Sequence, residues 1–304
     1  MSAIVVASMS DVRKYARGAL SVAGALDALP VPLAEVEAAI GLSPAENLYE
    51  AGEVVPQRFA SLLNRIRSSS TRVLGVLGFG QNTIFLDPEL PEHRRRFTHG
   101  HELGHRALPW HEGAYVDDDS TLHPAAREEL EQEANAFSAQ LLFGIDRFTN
   151  MADSRPPSLA VPLDLSTKFA ASGHAAMRHY VAQSNRAMAL LALGKFSTQR
   201  GGRTGLPLFA AHCVESQSFR DRFGDVTDLF PSHVTPEAFQ FVATAMDLSS
   251  GPDQTEVDFA IDTKRGRTNF VAQCATLRLR WVLIRPVSRL HIRSPQVKVV
   301  HSHG

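Results

Sequence analysis

A chain of 304 residues, 44% hydrophobic and 21% charged, is long enough to bury a substantial core as two domains, or as one with an elaborate appendage. The formal net charge of −1 argues against a globally basic nucleic-acid binder, and two cysteines are too few for a disulfide framework, so a reducing, cytoplasmic setting is expected. The apolar run Ala3 to Ala7 is too short for a signal peptide, and no later window has the length of a membrane span, so no membrane partner is expected.

In chain order, Ser10 to Ala28 has the spacing of an amphipathic helix stopped by the prolines of LPVPL, and PLAEVEAAIG is a shorter helix ending at Gly41. VPQRFASLLNRIRSSS is predicted as a third, with Phe59, Leu62, Leu63 and Ile66 on one side. TRVLGVLGFGQNTIFLD reads as two short strands around a Gly-Gln-Asn turn, and PELPEHRRRFTHGHELGHRAL as a helix stopped by Pro109. Beyond the acidic loop EGAYVDDDSTLH, PAAREELEQEANAFSAQLLFG is a strong helix with Pro124 in its first turn and Gly144 as its stop. The Pro-rich linker SRPPSLAVP leads into a helical stretch from Leu163 to about Leu193, where Ser172-Gly173 could turn a helix-turn-helix.

TQRGGRTG is the clearest boundary in the chain. After it, LPLFAAHCV, TNFVAQCATLRLRWVLI and SPQVKVV suggest strands, and TPEAFQFVATAMD a helix. The expected fold is therefore α+β. A mainly helical domain with a small hairpin covers residues 1–148, a helix-turn-helix-like segment packed on it covers 149–198, and a smaller α+β domain with a sensor or docking role covers 199–304. From Ile261 onward nine Lys and Arg face one acidic residue, Asp262, so this segment carries +8 and the remainder −9. Arg278, Arg280 and Arg285 alternate with apolar residues as a strand with one wet face would. Soluble surface is the simpler reading of that face, and a docking site for an acidic partner or nucleic acid the functional one.

Within FTHGHELGHRAL, His101 and His105 are four apart. At about 100° per residue they lie only about 40° apart round a helix, one turn above the other, so both imidazoles can close on one ion. Glu102, about 100° round from His101, is too far to chelate with them but can reach a water on the open side of a metal. Two imidazole ligands plus a general base is the zincin arrangement: zinc lowers the pKa of its water to about 7, and the carboxylate takes the proton as the water attacks a carbonyl. Manganese or iron could occupy the same ligands. The bland alternative is a surface helix with incidental histidines, but Phe97, Gly104 and Leu108 share the histidine side, which should therefore be buried.

A catalytic zinc needs a third protein ligand. In the helix from Pro124 the apolar stripe runs through Leu130, Ala134, Phe137 and Leu141. Measured from Ala134, Glu131 lies about 60° round, Glu133 about 100° on the other side and Glu128 about 120°, while Glu129 faces nearly away. Glu131 is best placed to point inward, with Glu133 as the alternative. For Glu128, Glu129 and Glu133 a solvated face is the expected setting. Asn135, one turn after Glu131, could orient a ligand from behind.

RRRFTHGHELGH followed by ELEQEANAFSAQLLF resembles the ImmA/IrrE family of zinc metallopeptidases, loosely from about residue 10 to residue 195. The resemblance implies Zn²⁺ held by His101, His105 and Glu131, with Glu102 as general base. Three departures stand out: His99 and Gly100 lie where small or apolar residues are usual, Ser138 replaces an alanine, and LLFG replaces LLMP. His99 lies about 160° from His101 round the helix and is expected to be structural. The resemblance further implies a protein substrate, a helix-turn-helix repressor whose cleavage switches on a stress or mobile-element response. The helix-turn-helix-like segment offers only Arg178 and Arg186 as cations on its second half, which makes a scaffold role the better expectation than direct nucleic-acid binding. Strand TIFLD is expected to hold an extended substrate by strand addition, and His111, Tyr115, Arg127, His179 and Tyr180 are candidate oxyanion donors. The competing reading is a non-catalytic, metal-containing regulator that binds a repressor or DNA; an intact Glu102 counts against it, since a purely structural zinc needs no base.

Overall fold

The computed structural model describes residues 9–41, 43–44, 75–78, 83–87, 89–111, 124–248, 251–287 and 298–300. The helix expected at 55–70 and the acidic loop lie outside them. The chain divides into two compact units, one of residues 1–148 with 167–172 and one of 149–166 with 173–304. The fold is α+β, and no helix among the described residues is long and apolar enough to cross a membrane.

In the first unit, α1 (Met9–Val22) buries Val12, Ala16, Ala19 and Leu20, a 3.6-residue stripe. It stops at Val22 rather than Ala28 because Gly24 takes φ 65° and the Ala25 N–H donates back to the Leu20 carbonyl at 2.8 Å, a glycine-closed helix end. Helix α2 (Leu33–Ala39) follows Pro32. The expected hairpin is present as β2 (Gly75–Gly78) paired antiparallel with β3 (Thr83–Leu86). A short β1 (Ser43–Pro44) pairs parallel with β3, giving the order β1-β3-β2. The strand expected to receive substrate is thus the middle one, and Thr83 and Ile84 have partners on both sides, so strand addition there has no free edge.

The two motif helices follow as α3 (Glu92–Ala107) and α4 (Pro124–Leu142). Leu130, Ala134, Phe137 and Leu141 are all buried, the stripe read from the sequence. Phe137 and Leu141 join Leu103, Leu108, Ile84, Leu20 and Val36 in one apolar core. Close approach of α3 and α4 depends on glycine. A Cβ on Gly104 would stand 3.1 Å from the Ala134 Cα and 3.2 Å from the Phe137 Cβ, and one on Gly100 would stand 2.6 Å from the Ser138 hydroxyl oxygen. Ser138 uses that hydroxyl to donate to the Phe97 carbonyl at 2.8 Å, so the two unusual residues Gly100 and Ser138 belong to one inter-helix contact.

After α5 (Arg147–Asp153), α6 (Ala160–Lys168) and α7 (Gly173–Ala182) occupy the helix-turn-helix-like segment. The helical stretch then ends early: 189–193, read as helix, is strand β4 (Ala189–Leu193), buried throughout. Its continuous apolar run ALLAL fits a strand covered on both faces as well as it fits a buried helix turn, and length decides for the strand. TQRGGRTG is a hairpin between β5 (Thr198–Arg200) and β6 (Arg203–Pro207), with Gly201 and Gly202 at positive φ, rather than a boundary between domains. The segment 149–198 and the residues from 199 onward therefore share one sheet system.

Next come β7 (Val214–Glu215), α8 (Gln217–Phe223), α9 (Val226–Leu229), β8 (His233–Val234), α10 (Gln240–Asp247), β9 (Gly251–Thr263), β10 (Gly266–Thr276), β11 (Arg280–Pro286) and β12 (Lys298–Val300). The main sheet runs β12-β9-β10-β11-β4-β7, antiparallel throughout, and β5-β6-β8 form a second, smaller one. Its core gathers Phe219, Phe223, Phe230, Phe241, Phe259 and Phe270. The wet arginine face does not exist as read. Arg280 and Arg285 are an odd number of residues apart and point to opposite faces of β11. Arg280 donates to the Gly194 and Met246 carbonyls, each at 3.2 Å, and Arg285 to Glu256 at 2.5 Å. Arg178 and Arg186 are likewise tied to backbone, to the Ala211 carbonyl at 3.0 Å and to those of Arg155 and Asp153 at 2.9 and 2.7 Å.

Candidate metal centre

Helix α3 presents His101 and His105 one turn apart, and α4 brings Glu131 against both. The His101 and His105 Nε2 atoms are 3.1 Å apart, and Glu131 places Oε2 3.2 Å from His101 Nε2 and Oε1 3.5 Å from His105 Nε2. These three are the one His, Cys, Asp or Glu group of its kind among the described residues whose ligand atoms converge as a metal site requires. Ligand atoms about 2.0–2.1 Å from a tetrahedral zinc stand about 3.3 Å from one another, so the spacings fit that ion with a position left for water. Two neutral imidazoles and a carboxylate are also the donor chemistry that zinc favours. Glu131 is 45% exposed while His105 is nearly sealed, so the open side of the cradle lies toward Glu131.

The other residues singled out in the sequence have definite places. Glu102 is buried on α3 beside His101. Asn135, one turn beyond Glu131, sets its Oδ1 3.1 Å from His101 Nδ1, where it accepts the ring N–H and turns Nε2 toward the cradle. His99 faces away, 2.8 Å from the buried Glu37 of α2, a structural pairing. Glu128 and Glu129 are exposed, as expected of a solvated face.

Glu133 is the exception, at 2% exposure. The Trp110 Nε1–H donates to its Oε2 at 2.6 Å, and His111 Nε2 lies 2.9 Å from the same oxygen. The other nitrogen of His111, Nδ1, is 2.9 Å from His105 Nδ1. Glu133 is thus neither solvated nor part of the cradle, and His111 stands behind His105 rather than over the cradle. The sequence held one signal for this, a Trp-His pair directly after the helix stop at Pro109, aromatic and imidazole groups that seek partners when buried. Of the other oxyanion candidates, Arg127 is exposed on α4, His179 and Tyr180 belong to the second unit, and Tyr115 lies outside the described residues.

Charge follows the geometry. Burial pulls His101 down, but its hydrogen bond to the Glu131 carboxylate and the charges of Glu102 and Glu131 outweigh that and leave its pKa raised. His105 is pushed down to about 3, first by burial and then by the His101 charge. His111 is lowered by burial, with Glu133 opposing. A low proton affinity at His105 keeps that ring neutral and its lone pair available to a cation.

An HExxH helix faced by a glutamate from a second helix is the donor arrangement of a zincin-type metallopeptidase. Residues 58–177, a stretch that includes both motif helices, match the family model Peptidase_M78, the IrrE N-terminal-like domain. A solved structure described as a Mycobacterium tuberculosis transcriptional regulator is similar over 90% of this chain and 75% of that one, with a TM-score of 0.50 and 15% sequence identity, a likeness of fold alone. No protein of curated function matches the sequence.

Proposed function

We propose that this chain is a zinc-dependent endopeptidase in which His101, His105 and Glu131 hold the metal and Glu102 is the general base. The observation that supports it most is the convergence of those three side chains at 3.1 to 3.5 Å, with a buried carboxylate next to the first histidine on the same helix. A zinc ion held by these three side chains would supply electrophilic polarisation of a scissile carbonyl and would acidify a water. Glu102 accepts a proton from the attacking water and returns it to the leaving amine. Asn135 holds His101 in the tautomer whose Nε2 faces inward, and burial of His105 excludes water from the back of the site.

The substrate we propose is an intracellular helix-turn-helix repressor whose cleavage releases a stress or mobile-element response. Arg178 within α7 and Arg186 just after it, both tied to backbone carbonyls, support a scaffold role for the helical pair over direct contact with nucleic acid. The fold likeness to a protein described as a transcriptional regulator keeps a second reading in play, regulation by binding without hydrolysis. One experiment separates the two. Zinc-loaded protein is incubated with candidate helix-turn-helix repressors, and the products are read by mass spectrometry. Hydrolysis predicts a cut at one bond, slowed on the order of 10²–10⁴-fold in Glu102→Gln. Equal cutting by Glu102→Gln contradicts the mechanism, and tight binding with no cut by either protein favours the second reading.

A further inference from the structure

We propose that Trp110, His111 and Glu133 form a buried relay that fixes His105 in the one tautomer able to present Nε2 to a cation. The inference rests on the zinc reading of the site, and it concerns positioning residues, since none of the three reaches the cradle.

The direction of every bond in the relay follows from the first. An indole N–H can only donate, so the Trp110 contact at 2.6 Å makes Glu133 Oε2 an acceptor. The same oxygen lies 2.9 Å from His111 Nε2, which must therefore carry the proton. A neutral imidazole has one N–H, so His111 Nδ1 is left with a lone pair. That nitrogen is 2.9 Å from His105 Nδ1 and can only accept, so His105 donates from Nδ1. The atom of His105 then left with a free lone pair is Nε2, the one that faces His101 Nε2 at 3.1 Å and Glu131 at 3.5 Å.

Reversing the chain would set a proton on His105 Nε2, where a metal ligand needs a lone pair. Water cannot substitute for a missing partner, because His111 is fully buried and Glu133 is 2% exposed. The two histidine ligands are thus oriented by different devices: His101 by the amide of Asn135 in a single step, His105 by a carboxylate acting through a second imidazole.

The test uses the full chain with two readouts. Nitrogen-15 NMR of the metal-free wild type should show His105 protonated on Nδ1 and bare on Nε2; the opposite tautomer overturns the relay. Zinc affinity, from competition with a chromogenic chelator, should fall on the order of 10–100-fold in His111→Phe, which removes the acceptor. In His111→Asn most of it should return, because the amide oxygen can take the place of Nδ1. Wild-type affinity in His111→Phe, or an Asn variant as weak as the Phe variant, overturns the proposal. A wild-type chain that takes up no zinc defeats the metallopeptidase reading, and the tautomer measurement then decides the relay by itself.

Discussion

His105 carries the site's largest electrostatic consequence. Burial and then the His101 charge push it down to about 3, so in the metal-free protein an unfolded chain takes up a proton near the ordinary histidine value while the folded one does not. The sign follows: a histidine whose folded pKa is depressed withdraws stability as pH falls below about 6.5, and continues to do so toward its folded value. Urea unfolding of the metal-free chain at pH 7.5 and pH 5 should give a lower midpoint at pH 5, and the drop should shrink in His105→Phe; an equal drop in both proteins would deny His105 the role. Much of this site was legible in the sequence. Helical spacing alone set His101, Glu102 and His105 in order and ranked Glu131 first among the later carboxylates. It failed at Glu133, because the partners that bury that carboxylate, Trp110 and His111, approach from beyond the end of another helix, and no periodicity within the Pro124 helix contains them.

Between elements, the distance from α3 to α4 decides whether Glu131 reaches the histidines at all. An alanine at Gly104 would gain about 1 kcal/mol of helix propensity, but its methyl would meet the Ala134 backbone and the Phe137 Cβ together, and overpacking of this kind costs about 1–3 kcal/mol. Gly104→Ala should therefore lower both the melting temperature and zinc affinity; unchanged zinc affinity would mean that helix spacing does not control the site. Gly100→Ala should also destabilise, and Ser138→Ala should partly relieve it by removing the hydroxyl that the new methyl strikes. A double variant less stable than Gly100→Ala alone would show that the Ser138 bond to Phe97 outweighs the clash. The amphipathic helices α1, α3 and α4 were readable because one face of each is wet. Strands β4 and β11 are buried across most of their length and lose the alternation that marks a strand, so from sequence β4 reads as helix and the arginines of β11 read as a wet face.

At the scale of the whole molecule each unit has its own apolar core, and the two tryptophans of the chain divide between them, Trp110 in the first and Trp281 in the second. Truncating a fully buried phenylalanine costs about 3–5 kcal/mol. Single-tryptophan variants should therefore show Phe137→Ala shifting the transition reported by Trp110, and Phe270→Ala shifting the one reported by Trp281. A variant that moved only the other unit's transition would refute the division of the cores. The boundary between the units was the least legible feature, because TQRGGRTG has the composition of a linker and the geometry of a hairpin, and only strand pairing across the sheet tells the two apart. The claim on which the functional reading turns is that both motif helices close on one divalent cation. Crystals of the full chain grown with zinc and measured on both sides of the zinc absorption edge test it directly. The account predicts a single anomalous peak bonded to His101 Nε2, His105 Nε2 and the Glu131 carboxylate; a cradle with no peak, or zinc bound only elsewhere, would contradict it.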